Sequence, residues 1–292
     1  MSFGDNYDKN GSLKAFAKIN LNLDIKSRRE DGYHTIASVM QRVSLSDTVT
    51  VSLNRSGIIS IESDAGYIPS DAKNTAFKAA RSFLRRIEDG DTGVHISIEK
   101  SIPVGAGMGG GSADAAAVLI LLNGFMSQPL SAGEIMDLGA GVGADVPFCI
   151  MGGTALAEGI GDKLTPLPPM PECTILICKP SYSCSTQELY QRCDRIGIKD
   201  HPDMDGFLRA LRSGDLLQMC RRMFNVFEEL LPERRENISA IRDVMLEHGA
   251  MASLMTGSGS AMFGVFSDPS AASGAASRLS GFGMDCRIAH PF

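Results

Sequence analysis

The sequence lacks the basic clusters and the long apolar runs that mark nucleic-acid-binding and membrane proteins. Its 28 lysines and arginines are outnumbered by 34 aspartates and glutamates, which gives a net charge of −6, and basic pairs such as Arg85-Arg86 are isolated. Binding to a nucleic-acid backbone requires a positive surface, so we expect no nucleic-acid partner. The longest apolar run, Ala115 to Leu122, is far too short to cross a bilayer, and residues 1–12 contain no apolar core of a signal peptide. We therefore expect a cytoplasmic protein without a membrane partner.

Cysteine pairs with the spacing of metal or redox motifs are absent as well. The sequence has seven cysteines, an odd number, and no Cys-x-x-Cys. Most of them, for example Cys149, Cys178 and Cys220, lie among apolar or helix-forming residues, which indicates reduced side chains used in packing. Neither a disulfide framework nor a zinc site is expected.

Alternating apolar and polar residues predict strands in several places. The longest such stretch, Leu13 to Ile25, alternates strictly, with Lys18 and Asn20 on its polar face. A period of two over this length is typical of a half-buried strand. Further strands are predicted at 36–43, 49–53, 58–61, 94–98 and 174–178, and on both sides of a Gly/Ser turn within 254–266.

Helix signals lie in clusters between these strands. Asn74 is placed to cap a helix, and Ser131-x-x-Glu134 and Ser185-x-x-Glu188 have the form of capping boxes. Helices are also predicted around 215–231 and 236–248. Because strands and helices do not alternate regularly, we predict an α+β fold. The proline-rich segment 166–171 cannot continue a helix or a central strand, so we predict two domains, residues 1–168 and 169–292.

A glycine-dense segment directly precedes a long apolar helix pattern. Glycine permits tight turns and a close approach of backbone N–H groups to a ligand, and the start of a helix adds the positive end of its dipole. We therefore predict that this segment binds the phosphates of a nucleotide. Its residues are Pro103, Val104, Gly105, Ala106, Gly107, Met108, Gly109, Gly110, Gly111, Ser112 and Ala113.

Three phosphate-binding motifs contain glycines of this kind. A P-loop is excluded because no Lys-Ser or Lys-Thr pair follows the second glycine. Gly105-x-Gly107-x-x-Gly110 satisfies the dinucleotide fingerprint, but Pro103 separates it from the preceding strand, so this match is weak. The remaining pattern, Pro-x-x-x-Gly-Met-Gly-Gly-Gly-Ser-Ala, resembles the nucleotide-binding loop of the GHMP kinases. The alternative that needs no ligand is a glycine-rich hairpin before a core helix.

Two further motifs extend this resemblance over nearly the whole chain. Residues 17–21, Ala-Lys-Ile-Asn-Leu, and residues 256–260, Thr-Gly-Ser-Gly-Ser, are similar to the first and third GHMP-kinase motifs, in the order of that family. The resemblance implies an α+β fold with an N-terminal domain like domain 2 of ribosomal protein S5, a C-terminal ferredoxin-like domain, and an active site in the cleft between them.

The resemblance also implies ATP as the phosphoryl donor and Mg²⁺ as part of the ATP complex. Ser112 is the hydroxyl expected near the metal, and Glu158 is a candidate metal ligand only through its place in the sequence. Position 113 is alanine, where many relatives have a second serine. For Asn74, a contact with adenine and a simple role as helix N-cap both stay open.

Lys18 and Asp145 are the catalytic residues that the resemblance implies. Alone, Lys18 would be interpreted as a solvated lysine and Asp145 as a cap of the segment that contains Pro147. In the family, a carboxylate in this place orients the proton of the attacking hydroxyl, and the ammonium group stabilises developing negative charge. The residues expected to bind the acceptor are Asn20, Tyr33, His34, Asp145, Thr186 and Tyr190.

Four more stretches are similar to one branch of the family, which phosphorylates the 2-hydroxyl of a cytidylated methylerythritol in the non-mevalonate route to isoprenoid precursors. They are 31–34, 143–148, 157–162 and Lys179-Pro180 leading to Ser185-Thr186. In this branch, Tyr33 and Tyr190 would stack on the cytosine and His34 would read its edge. The alternatives are a homoserine- or mevalonate-type kinase, a non-catalytic nucleotide-binding module and, more distantly, a Rossmann-type dehydrogenase. The oligomeric state is not predicted.

Overall fold

The computed structural model describes residue 3 and residues 9–66 and 68–292. The strands are β1 Asn10–Arg28, β2 His34–Asn54, β3 Ile59–Ser63, β4 Gly93–Glu99, β5 Thr154–Gly159, β6 Lys163–Pro166, β7 Thr174–Lys179, β8 Phe224–Asn225, β9 Ala252–Met255, β10 Met262–Phe266 and β11 Asp285–Ala289. The helices are α1 Thr75–Arg86, α2 Gly110–Phe125, α3 Ala132–Ala140, α4 Val146–Met151, α5 Thr186–Ile196, α6 Met204–Ser213, α7 Leu216–Cys220, α8 Arg235–Glu247 and α9 Pro269–Ser280. Short 3₁₀ turns occur at Val226–Glu228 and Pro232–Arg234.

The described residues form two compact units. Unit 1 consists of the described residues up to Ala17 together with Ser46–Val104 and Gly109–Met151. Unit 2 consists of Lys18–Leu45, Gly105–Met108 and Gly152–Phe292. Strands β1 and β2, which are neighbours, each contribute residues to both units. The domain boundary at residue 168 stays a prediction.

Unit 1 combines a sheet with packed helices. Strand β4 pairs antiparallel with the second half of β2, with Thr48 opposite Glu99, and parallel with β3, with Ile59 opposite Val94. Helix α2 packs against α1, α3 and α4. This packing on several sides explains why α2 is apolar on most of its faces. The start of α2, where the glycine-dense segment ends, is therefore fixed by a well-packed helix.

Unit 2 contains a four-stranded antiparallel sheet in the order β11-β7-β10-β9. Val265 in β10 lies opposite both Ile175 and Ala252, and helices α8 and α9 pack on this sheet. The first half of β2 pairs with β5, which pairs with β6, and β1 pairs in parallel with β8. A buried cluster that includes Leu23, Phe227 and Phe266 forms the core of this unit.

Most of the predicted elements are present, but three predictions need correction. The segments 36–43 and 49–53 belong to one strand, β2, and Asp47, one of the polar residues between them, is buried and accepts the N–H groups of Ser101 and Ile102. The helix predicted around 215–231 ends at Cys220, and β8 and a 3₁₀ turn follow. Strand β1 is not half-buried, since residues 17–25 are buried on both of its faces.

None of the helices in the described part of the chain is long and apolar enough to cross a membrane.

Candidate active site

Strand β1 carries a row of buried polar side chains along one face. These side chains, at most 5% exposed, belong to Lys18, Asn20, Asn22 and Asp24. Lys18 Nζ donates to Asn20 Oδ1 at 2.7 Å, and Asn20 Nδ2 donates to Ser38 Oγ at 2.7 Å. A buried polar group costs free energy unless it is hydrogen-bonded. The network therefore fixes the positions of the Lys18 ammonium and the Asn20 amide.

The part of the glycine segment that belongs to unit 2 lies against this strand. The Lys18 N–H donates to Met108 O at 3.0 Å. Gly105 and Gly107 have φ values of 66° and 76°, in the left-handed region that favours glycine. A Cβ atom on Gly107 would lie 2.2 Å from Thr256 O. The close approach of residues 105–108 to residue 256 therefore requires glycine at position 107.

Thr256 and the residues after it complete this arrangement within unit 2. Thr256 Oγ1 accepts from the Asn20 N–H at 3.0 Å and donates to Gly107 O at 3.4 Å. The Ala261 N–H donates to Ala106 O at 3.2 Å. The three motifs, although far apart in the sequence, are thus in direct contact in the folded chain.

In unit 1, the end of the glycine segment begins helix α2. Gly109 is the N-cap, with φ 69°, and no side chain among the described residues caps the helix. The N–H groups of its first turn therefore lack a side-chain acceptor at the positive end of the helix dipole, an arrangement that suits a phosphate group. A Cβ atom on Gly111 would lie 3.2 Å from Thr75 Oγ1, so the starts of α1 and α2 adjoin.

Asn74 directly precedes helix α1. Its Oδ1 accepts from the Ala76 N–H at 2.9 Å, and its Nδ2 donates to Pro69 O at 2.8 Å. Asn74 is therefore the N-cap of α1, as predicted from its position. The contact with adenine stays a prediction.

A buried ion cluster holds the residues on both sides of the glycine segment. Lys100 Nζ lies 2.8 Å from Asp114 Oδ2 and also pairs with Asp47, and all three side chains are almost fully buried. Burial raises the pKa of Asp114 to about 7, against the attraction of the Lys100 charge. Burial alone would lower the pKa of Lys100, but the two carboxylates outweigh it and raise that pKa. The cluster thus fixes a residue just before the segment and one just after it.

Asp145 and Ser112 both belong to unit 1. Asp145 directly precedes α4, and its backbone O accepts from the Cys149 N–H at 3.0 Å. A Cβ atom on Gly143 would lie 3.8 Å from Ser112 Oγ, so the turn that leads into Asp145 is a neighbour of Ser112. Lys18 belongs to unit 2. No three His, Cys, Asp or Glu side chains within the described residues are grouped to hold a metal ion.

Most of the residues predicted to bind the acceptor lie in unit 2. The His34 and Tyr190 rings stack with centroids 4.7 Å apart, and His34 Nε2 lies 2.8 Å from Asp194 Oδ1. Tyr33 is 63% exposed. Thr186 Oγ1 forms a hydrogen bond of 2.7 Å with Ser258 Oγ, which connects the start of α5 to the Thr256–Ser260 segment.

Comparison with known proteins assigns the family. Residues 74–153 match the family model of the GHMP kinases N terminal domain, and residues 207–283 match that of the GHMP kinases C terminal. A 4-diphosphocytidyl-2-C-methyl-D-erythritol kinase from Caldicellulosiruptor saccharolyticus is 43% identical over 270 residues, which are 92% of this chain and 93% of the relative. The chain belongs to the GHMP kinase family.

Solved structures agree with this assignment and confirm the predicted fold class of this GHMP kinase. A crystal structure of 4-(cytidine 5'-diphospho)-2C-methyl-D-erythritol kinase has a TM-score of 0.81 and 31% identity, and the match covers 96% of this chain and 98% of that chain. A homoserine kinase from Cytophaga hutchinsonii has a TM-score of 0.73 at 19% identity, and the match covers 100% of this chain and 97% of that chain, so it shares the fold.

The structure adds residues to this GHMP kinase site that the sequence did not reveal. Asn225 Nδ2 donates to Met255 O at 2.7 Å and to Gly257 O at 2.8 Å, and so holds the third motif. Ser38 and Asp194 contact Asn20 and His34, respectively. The only signal for Asn225 in the sequence was a single polar residue between apolar ones at 224–227. Ser38 has the same signal, a single polar residue between apolar ones at 36–40, whereas Asp194 has none.

Proposed function

We propose that this GHMP kinase is a 4-diphosphocytidyl-2-C-methyl-D-erythritol kinase. It transfers the γ-phosphoryl group of ATP to the 2-hydroxyl of its acceptor, a step of the non-mevalonate route to isoprenoid precursors in the cytoplasm. The name of the Caldicellulosiruptor saccharolyticus relative supports the substrate. The observation that carries the kinase activity is the direct contact between the three motifs. The Lys18 N–H donates to Met108 O, the Asn20 N–H donates to Thr256 Oγ1, and Thr256 Oγ1 donates to Gly107 O.

ATP would bind along residues 103–113, with Asn74 near the adenine, in an N-terminal domain of residues 1–168. The start of α2, which has no side-chain cap within the described chain, fits a phosphate group there. Mg²⁺ would arrive with ATP, near the Ser112 hydroxyl, and would neutralise charge on the phosphates. The second domain would be residues 169–292, which contain the third motif.

Lys18 and Asp145 would carry the chemistry. The Lys18 ammonium, fixed by Asn20 Oδ1 at 2.7 Å, would stabilise the negative charge that develops on the transferred group. Asp145 would orient the 2-hydroxyl of the acceptor and accept its proton. Phosphoryl transfer depends mainly on such positioning and electrostatic stabilisation, so a buried and hydrogen-bonded lysine suits it.

The acceptor would bind through Asn20 and Thr186, and its cytosine through Tyr33, His34 and Tyr190. Aromatic faces stack on a base, and the His34 ring can form hydrogen bonds with its edge. The His34 and Tyr190 rings stack on each other in unit 2, so the two residues are direct neighbours there.

An ADP-release assay with a panel of acceptors tests the proposal. The panel contains the cytidylated methylerythritol, mevalonate, homoserine and galactose, and we expect ATP-dependent turnover with the first alone. Turnover with homoserine or mevalonate would favour the other kinase types, and ATP binding without any turnover would favour a non-catalytic nucleotide-binding module.

A further inference from the structure

Helix α5 holds the His34 ring from two directions. The ring of Tyr190 stacks on the His34 ring, with planes 18° apart, and Asp194 Oδ1 lies 2.8 Å from His34 Nε2. Tyr190 and Asp194 are four residues apart in the helix and therefore lie on one of its faces. The stacking fixes the plane of the ring, and the carboxylate fixes its rotation within that plane. His34 thus has one defined orientation.

The backbone next to His34 is fixed as well. His34 is the first residue of β2 and is 8% exposed. In the preceding turn, the Arg29 N–H donates to Tyr33 O at 2.7 Å, and Asp31 accepts from the Tyr33 N–H at 3.1 Å and pairs with Arg29 at 2.7 Å. On the helix side, Tyr190 packs edge-on against Phe227 with centroids 5.3 Å apart. Both the ring and its support are therefore anchored in unit 2.

Asp194 determines which nitrogen of His34 carries the proton. An ionised carboxylate only accepts hydrogen bonds, so Nε2 is the donor in this pair and Nδ1 of the neutral ring is an acceptor. Arg28 Nη1 lies 3.4 Å from Asp194 Oδ2 and adds a second partner to the carboxylate. Nδ1 forms no hydrogen bond with the described residues, so it is available to a ligand.

We propose that Asp194 is a positioning residue that makes this kinase select cytosine over uracil, an inference that rests on the proposed function. An acceptor at Nδ1 pairs with the 4-amino group of cytosine, which donates. Uracil has a carbonyl oxygen at that position, so two acceptors would face each other and both would lose a hydrogen bond. Asp194 acts through His34 and has no direct contact with the base.

The substitution Asp194→Asn tests this inference because the amide can donate to Nε2 and so permit the other tautomer, in which Nδ1 is a donor. The measurement is kcat/KM for the cytidylated acceptor and for its uracil counterpart. We expect the cytosine preference to fall roughly tenfold, which corresponds to about 1.4 kcal/mol, through the KM of the acceptor and with the KM of ATP unchanged. Asp194→Glu, which keeps a carboxylate, should retain more of the preference. Asp243→Asn, at an exposed aspartate of α8, is the matched control and should change nothing.

Nitrogen-15 NMR of the imidazole groups separates this inference from the proposed function. With the His34 signals assigned through His34→Gln, the wild-type enzyme without substrate should carry its proton on Nε2, and Asp194→Asn should shift the proton towards Nδ1. A wild-type proton on Nδ1, or an unchanged cytosine preference in folded Asp194→Asn, overturns the inference. Failure of the wild type to phosphorylate the cytidylated acceptor overturns the proposed function, and with it the selectivity, even if the tautomer is as expected.

Discussion

The substitution Gly107→Ala tests whether the contact between the three motifs requires glycine. Gly107 has a φ of 76°, and an alanine Cβ would lie 2.2 Å from Thr256 O and 2.9 Å from Gly259 N. Both neighbours are backbone atoms, so no flexible side chain can move aside. Either the glycine segment or the Thr256 segment would have to shift.

Two contributions set the expected magnitude. A non-glycine residue in the left-handed region costs about 1–2 kcal/mol. Separation of the two segments would also break the hydrogen bonds that join them, such as that from Thr256 Oγ1 to Gly107 O, each with a net contribution of about 0.5–1.5 kcal/mol. With two to three such bonds, the free energy of unfolding should fall by about 2–6 kcal/mol, which corresponds to a Tm about 4–24 °C lower.

Thermal unfolding followed by circular dichroism and calorimetric titration with ATP measure the two effects. ATP affinity should fall at least roughly tenfold, or about 1.4 kcal/mol, because the backbone that we propose binds the phosphates is displaced. Gly133→Ala is the control. Apart from the backbone of its own helix, α3, no atom of the described residues lies within 4 Å of the Cβ position of Gly133, so the Tm of this variant should equal that of the wild type or be slightly higher. A Gly107→Ala protein with the Tm and ATP affinity of the wild type would refute the reasoning.

Four further predictions concern other residues. Asp145→Asn should lower kcat by roughly 10²–10⁴ with ATP binding retained, and steady-state kinetics with a near-normal kcat would contradict its proposed catalytic role. Asn225→Ala should lower the free energy of unfolding by about 2–4 kcal/mol, because two buried carbonyl groups lose their donor; a urea titration that matches the wild type would count against this. Lys100→Met should lower it by about 3–5 kcal/mol, since two buried carboxylates lose their cation. In the folded protein, the pKa of Asp114 is raised to about 7. The protonated Asp114 side chain therefore contributes fully to the free energy of unfolding below the pKa that it has in the unfolded chain, and this contribution is lost as the pH rises through about 7. The stability of the wild type relative to Asp114→Asn should thus fall between pH 4 and pH 8, and a constant difference in urea titrations would contradict the shift.

Local signals predicted the helix starts, because capping depends on a few neighbouring residues. Asn74, Ser131 and Ser185 each cap the helix that the sequence indicated, and Ser131 with Glu134 forms a complete capping box. The positive φ values of the glycine segment also follow from local sequence. The helix predicted around 215–231 failed because Asn225 uses its side chain to hold residues 255 and 257, a contact that the local pattern cannot reveal.

Strand β1 shows why the burial of a strand could not be predicted from the alternation of its residues alone. Strict alternation tells which side chains share a face, but it does not tell what covers that face. The polar face of β1 is covered by residues remote in sequence: Arg222 O accepts from Asn22 Nδ2 at 3.0 Å, and Asp24 lies 2.7 Å from the His201 ring. Asp194 was missed for the same reason, since only the packing of α5 against the start of β2 makes it a neighbour of His34.

The buried polar row of β1 has a cost that stability alone does not explain. Lys18, Asn20 and Asn22 could be replaced by packed apolar side chains, and such replacements of buried polar networks are often neutral or stabilising. Asn22 Oδ1 even lies buried without a hydrogen bond from any described residue. What the row does provide is a lysine and an amide held by Asn20 Oδ1 and Ser38 Oγ before any ligand arrives. Because phosphoryl transfer depends on groups that need no reorganisation during the reaction, this fixed arrangement is more consistent with a site for catalysis than with a structural core.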